Sequence, residues 1–268
     1  LKTGAGKVVI FEDMIQAVLT PAAGKRLIAR ALAHHPEIRR TVTFGTVVIV
    51  AGTTNAYVAE ELLGSIGQSE GFDRARFFRG VTLPPVKQPH PGAPVLTEQP
   101  FIGDVVIRQG YWLKGKTLFD AVEELKGGDL ILKGANAIDL STREAGVLIA
   151  HPKGGTTMAV IQAAIGRRVR VIIPVGLEKR VCGRIWEIAA IMNDPQAEGL
   201  RLCPLPGEVF TELEAIKVLT GAEAHLVAGG GIGGAEGAVW LVIRGTQDQE
   251  ENVRLLLESI KREPPFEV

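Results

Sequence analysis

Three apolar runs in this chain each end in a loop of small residues, and a helical pattern follows two of them. Thr46 to Ala51 leads into Gly52-Thr53-Thr54-Asn55, and Asp129 to Leu132 leads into Lys133-Gly134-Ala135-Asn136. Gly146 to His151 leads into Lys153-Gly154-Gly155-Thr156-Thr157. A strand that ends in glycine and opens a helix leaves bare backbone N–H groups at a positive dipole end, where an anion can bind. Such units also restrict the architecture, because strands that alternate with helices build a parallel sheet covered by helices.

The rest of the pattern extends this reading. Thr20 before Pro21 is an N-cap followed by proline at the first helical position, and Leu27, Ile28, Ala31 and Leu32 fall on one face of a helix over 21–35. Val47 to Val50 is a β-branched strand, and Ala59, Leu62, Leu63 and Ile66 repeat at helical spacing after it. Strands are expected at 104–107, 129–132, 147–150 and 169–175, with helices at 117–125, 157–165 and 180–192. Prolines at 84, 85, 89, 91, 94 and 100 make 72–103 a long surface excursion with one strand at 77–83. From residue 200 the order is strand, helix, two strands joined by a hairpin loop at 229–237, and helix. That βαββα order is most of a ferredoxin-like unit, with its last strand either missing or supplied by Phe266 to Val268. The expected fold class is therefore α/β, a mostly parallel Rossmann-like sheet over 1–196 with a small α+β, ferredoxin-like domain over 197–268.

Composition excludes several functions. With 46% apolar and 22% charged residues, the 268-residue chain can bury a large core. Lys plus Arg and Asp plus Glu both number 30, so no global charge recruits nucleic acid or an anionic membrane. Cys182 and Cys203 form no CxxC pair and have no His close by, so neither a metal site nor a disulfide framework is expected. The longest apolar stretches are about half the ~18 residues that a membrane helix needs. Glu12 and Asp13 fall where a signal peptide would have its apolar core, which points to the cytoplasm. The expected partner is a small anionic metabolite, with no cofactor and no metal, and the C-terminal unit is suited to homo-oligomer formation.

The candidate ligand-binding residues are Gly52, Thr53, Thr54, Asn55, Gly134, Asn136, Gly154, Gly155, Thr156 and Thr157. Loop amides and threonine hydroxyls suit a phosphate or carboxylate, although simple helix capping by Thr53 or Thr54 accounts equally for the first loop. Asn136 and Asp139 follow a strand end, where open parallel sheets place ligand-binding side chains; both are also common turn residues. If the chain is an enzyme, Lys153 and Asp139 are the catalytic candidates, Lys153 as a compact cation and Asp139 as its orienting group or as a base.

Residues 22–181 resemble the ribose-5-phosphate-isomerase-like superfamily, which includes sugar-phosphate isomerases, glucosamine-phosphate deaminases, CoA transferases and sugar-responsive repressor domains. The similarity rests on 23–26 with 48–58 as first strand, phosphate loop and helix, on Gly134-Ala135-Asn136 as a Gly-Ala-Asp-like motif, and on Lys153-Gly154-Gly155 as a Lys-Gly-Gly loop. The resemblance implies an anion-accepting cleft. It also places Asn136, Ala137 and Gln162 where the isomerases carry acids, and only Lys153 survives of that set. Neither Asn nor Gln can remove a proton next to a carbonyl, so the resemblance implies binding with isomerase-like chemistry lacking its usual carboxylates. A non-catalytic metabolite sensor or interaction protein is the alternative, and an acyl or CoA transferase would require a nucleophilic carboxylate in the cleft.

Overall fold

The computed structural model describes residues 14–79, 82 and 102–266. In chain order the elements are β1 (Ile15–Leu19), α1 (Pro21–His34), α2 (Pro36–Phe44), β2 (Thr46–Ile49), α3 (Thr53–Ser65), β3 (Val105–Arg108), β4 (Tyr111–Trp112), α4 (Leu118–Ala121) and β5 (Leu130–Leu132). There follow β6 (Ala137–Asp139), β7 (Glu144–Ile149), α5 (Gly155–Ile161), β8 (Arg170–Pro174), α6 (Ile185–Met192), β9 (Arg201–Leu205), β10 (Glu208–Phe210), α7 (Glu212–Thr220), β11 (Glu223–Gly229), β12 (Val239–Arg244) and α8 (Gln247–Ile260).

A mixed six-stranded sheet of order β10-β8-β5-β2-β3-β4 forms the centre. Its β2, β5, β8 and β10 run parallel, and β3 and β4 are antiparallel. β2 and β5 are buried at every position, as continuous apolar runs covered on both faces must be. Side chains fasten the two ends of these central strands. At the start, the Asp129 carboxylate accepts the Thr46 N–H at 2.8 Å and the Lys126 N–H at 2.9 Å. At the far end, the Asn55 carboxamide donates to Val50 O at 2.7 Å and Leu132 O at 2.9 Å. The carboxyl ends of β2 and β5 are thereby held side by side.

Two smaller antiparallel sheets flank this centre, one of order β1-β12-β11 and one of order β6-β7-β9. α1 starts as the sequence predicts, with Thr20 Oγ1 accepting the Ala23 N–H at 3.2 Å and Pro21 at the first position. It packs on α3 and α7, and its Leu27, Ile28, Ala31 and Leu32 are fully buried.

The C-terminal residues depart from the ferredoxin-like expectation. Such a unit needs its strands in one sheet, whereas β9 pairs with β7, β10 with β8, and β11 and β12 join β1. Pro204 has no N–H to give and lies in β9, which takes the edge of its sheet. Residues on both sides of the expected 196/197 boundary share one hydrophobic core, in which Ile28 and Val47 are joined by Ile216, Leu241 and Val253. The 147–150 strand is the end of β7 and lies outside the central sheet. Only residues 140–143 separate β6 from β7, too few for a parallel crossover, so the two close as a hairpin.

Several boundaries also shift. The 117–125 helix is regular only over Leu118–Ala121, the 180–192 helix begins at Ile185, and β1 and α2 were not expected. Phe77 to Arg79 carry no strand, and the rest of the 77–83 strand lies outside the described residues except for residue 82. Phe266 is likewise irregular, and 267–268 lie outside the described residues. The 229–237 segment joins antiparallel β11 and β12, as a hairpin loop does.

Candidate functional site

The carboxyl ends of β2 and β5 open onto one cavity of about 700 Å³, which Lys179 borders from the turn after β8. Gly52, Thr53, Thr54 and Asn55 line it from the end of β2, and Gly134 and Asn136 from the end of β5. Gly154, Gly155, Thr156 and Thr157 close it from the loop after β7. All ten ligand-binding candidates of the sequence therefore border a single space. This is the crevice beyond the strand ends that open α/β sheets offer to ligands.

The first loop is open by construction. Gly52 is extended, with φ 174°, so its conformation would admit any residue. A Cβ placed there would meet nothing within 4 Å, so the glycine leaves room in front of the loop. Gly52 has no side chain to cap α3, and among the described residues the N–H groups of Thr53, Thr54 and Asn55 have no acceptor. Thr54 Oγ1 and Asn55 Oδ1 lie buried and without partners among the described residues. A buried polar atom left unpaired costs about 1–3 kcal/mol, so this loop carries a penalty that packing alone does not explain. In the third loop, Gly154 and Gly155 hold positive φ of 75° and 56°. A Cβ on Gly154 would fall 2.2 Å from Met158 Cγ, so this glycine is structural.

Among the described residues four cations line the same space: Lys25 from α1, Arg79, Lys133 at the end of β5, and Lys179 in the turn after β8. Arg79 donates to the Asp104 carboxylate at 3.0 Å. Asp104 is buried and also accepts the Ala51 N–H at 2.9 Å and the Leu118 N–H at 2.8 Å, so it ties the first loop to the start of α4. The three lysines have no ion-paired carboxylate among the described residues. Lys133 Nζ donates to Gly134 O at 3.3 Å, Lys179 Nζ donates to Ala135 O at 3.0 Å, and Lys25 Nζ lies 5.8 Å from the Phe266 ring centre.

Burial presses on all three amines. It pushes Lys133 down to about 8; Asp104 opposes the shift, and the Lys179 and Arg79 charges reinforce it. Lys179 is lowered by burial against the pull of Glu178 and Glu212. Lys25 is lowered by burial and by Lys179, against the same two acids. Glu212, buried behind them with its carboxylate on the Leu177 N–H, is raised by desolvation and by Glu178.

The cavity wall is mixed. Ala51, Phe119, Val147 and Ile149 give it apolar surface. Phe266 reaches it from the C-terminal segment, which is anchored by Glu263 ion pairs of 3.0 Å to both Arg26 and Arg74.

The two catalytic candidates lie elsewhere. Lys153 is exposed and does not border the cavity, and its backbone N–H donates to His151 Nδ1 at 3.1 Å. Asp139 is occupied in its own turn, accepting from Ser141 N at 2.9 Å, Ser141 Oγ at 2.6 Å and Thr142 Oγ1 at 2.8 Å. The Ser141 and Thr142 hydroxyls hold its carboxyl below the usual range. Asp139 stands at the turn end of the β6–β7 hairpin, whereas Lys153 lies between the cavity-lining His151 and Gly154 with its own side chain exposed. Asn136 borders the cavity but uses Oδ1 to accept the Leu148 N–H at 3.0 Å, extending the β6–β7 pairing. Gln162 is exposed and donates to Glu123 at 2.9 Å.

The cations that line the cavity are what the sequence reading passed over. Lys133 stood inside a motif already singled out, directly before Gly134, and Lys25 stood one turn into a helix already located. Lys179 and Arg79 carried no local signal. Comparison with protein-family models and with curated proteins finds no match to this chain.

Proposed function

We propose that this protein binds a small anionic, phosphorylated metabolite in the cleft beyond β2, β5 and β8. The observation that carries the reading is the convergence of Lys25, Lys133 and Lys179 on one cavity without an ion-paired carboxylate among the described residues. Partly buried cations without a direct ion pair are costly even with Glu178, Glu212 and Asp104 acting on them at longer range, and an anionic ligand supplies further negative charge. The bare N–H groups at the start of the 13-residue α3 favour a phosphate in particular, because they add directed donors to the positive dipole end. Asn136 and the threonines of the third loop then face the polar body of the ligand. On this reading the chain is a relative of the ribose-5-phosphate-isomerase-like superfamily that keeps an anion cradle.

A second reading, binding without turnover, is favoured by one observation: no Asp or Glu among the described residues lines the cavity. Neither an isomerase base nor a transferase nucleophile of carboxylate type stands there.

The test is thermal unfolding with inorganic phosphate, sugar phosphates and the corresponding neutral sugars. Stabilisation should grow with concentration for the phosphorylated compounds and reach about 2.7 kcal/mol at a hundred times the dissociation constant. Equal response to the neutral sugars, or none to any anion, overturns the reading.

A further inference from the structure

We propose that Lys133 is a nucleophilic amine that forms an imine with the carbonyl carbon of a small ligand held in the cleft by its phosphate or carboxylate group. The inference rests on the anion-binding reading above and goes from what the cleft holds to what one residue does with it.

The three lysines are not equivalent. Lys179 is committed to Ala135 O at 3.0 Å, with Glu178 and Glu212 close enough to offset its charge. Lys25 shares those two acids and lies over the Phe266 ring. Lys133 has two cations as neighbours, Lys179 and Arg79, and one acid, Asp104. Both oxygens of that acid are already engaged, by the Ala51 and Leu118 N–H groups and by Arg79. Among the described residues the Lys133 amine has one hydrogen bond, the 3.3 Å contact to the carbonyl of the next residue, which a ligand displaces at little cost.

An ammonium group with cationic neighbours and a desolvated setting surrenders its proton more readily than one in water. Its depressed proton affinity agrees with this position. The neutral amine so produced is the nucleophile. Lys179, Lys25 and Arg79 line the same cavity and hold the anionic end of the ligand, while Ala51, Val147 and Ile149 limit water at the reacting centre. In the step itself the Nζ lone pair attacks the carbonyl carbon and the C=O π electrons move to oxygen. The two amine protons pass to that oxygen, which leaves as water, and the C=N bond forms. One amine and one carbonyl give one imine and one water, with no oxidant or reductant.

The experiment uses the full chain with two anionic carbonyl probes, pyruvate and dihydroxyacetone phosphate, each followed by borohydride reduction, intact mass measurement and peptide mapping. The expected result is one reduced adduct per chain, located on Lys133 and suppressed by excess inorganic phosphate. The probe that reacts identifies the anionic group as carboxylate or phosphate. The adduct should vanish in Lys133→Met and Lys133→Arg and persist in Lys153→Ala. Mapping on the unaltered chain decides the matter even where a Lys133 variant fails to fold. No adduct from either probe, or label spread over Lys25, Lys179 and surface lysines, overturns the proposal. Thermal stabilisation by inorganic phosphate is measured in parallel. Stabilisation without an adduct sinks the imine and leaves anion binding standing; neither stabilisation nor adduct sinks both.

Discussion

Replacing Lys133 with methionine should make the protein more stable near neutral pH, and the gain should fade as the pH rises. The Lys133 amine is pushed from an ordinary value of 10.5 down to about 8 in the folded chain. Below about pH 8 both folded and unfolded chains hold the proton, and the folded state bears the whole cost of a buried ammonium. Between about 8 and 10.5 the folded chain releases the proton while the unfolded chain keeps it, so stability rises with pH across that window. A shift of this size corresponds to about 3 kcal/mol at pH 7, at 1.36 kcal/mol per pH unit, and falls below about 1 kcal/mol at pH 10. Methionine has similar length and no charge, so Lys133→Met removes the cost at every pH. Urea unfolding of both proteins near pH 7 and near pH 10 measures the difference, and the comparison cancels the titration of Lys25, Lys179 and Glu212. The variant should be more stable by about 2–3 kcal/mol at the lower pH and nearly equal at the higher one. A variant destabilised to the same extent at both pH values would refute the view that this lysine is held in the cleft against its own solvation.

Other outcomes follow from the same geometry. Gly52→Ala should leave unfolding free energy within about 1 kcal/mol, because the backbone there is extended and the space is open. It should also weaken phosphate binding in a titration, by filling the room in front of α3. Asp104→Asn turns an acceptor toward the Leu118 N–H and Arg79 into a donor, and should lower stability by about 3–5 kcal/mol in urea. Loss of less than about 1 kcal/mol would contradict its role as the tie between the first loop and α4. Lys153→Ala should change neither phosphate affinity nor stability by more than about 0.5 kcal/mol, since this side chain is exposed and outside the cavity.

The glycine loops were legible in the sequence because their signal is local: a buried apolar run, a small residue and the start of a helix. The strands β2, β5 and β8 could be read the same way, as short β-branched or aliphatic runs, buried throughout in β2 and β5 and after the first residue in β8. What the sequence withheld was set by contacts across long separations. β1 is a strand because Ile15 to Leu19 pair with Val239 to Ile243. The C-terminal strands looked like one small unit, yet β9 joins β7 in one sheet and β10 joins β8 in another, while β11 and β12 pair with each other beside β1. The cation cluster is of the same kind, since Lys25, Lys133 and Lys179 come from separate elements and meet only at the strand ends. Lys153 and Asp139 were drawn toward the cleft by their neighbourhood in sequence. The four-residue link between β6 and β7 puts Asp139 at the turn of a hairpin, and Lys153 is exposed although His151 and Gly154 on either side of it line the cavity.

The most direct test of the cleft as an anion site is calorimetric titration of the protein with ribose 5-phosphate and with ribose, repeated at low and high salt and on Gly52→Ala. The account predicts saturable binding of the phosphorylated sugar alone, weakened by salt and by the added methyl group. Binding of both sugars with equal affinity, or binding of the phosphate unaffected by Gly52→Ala, would contradict it.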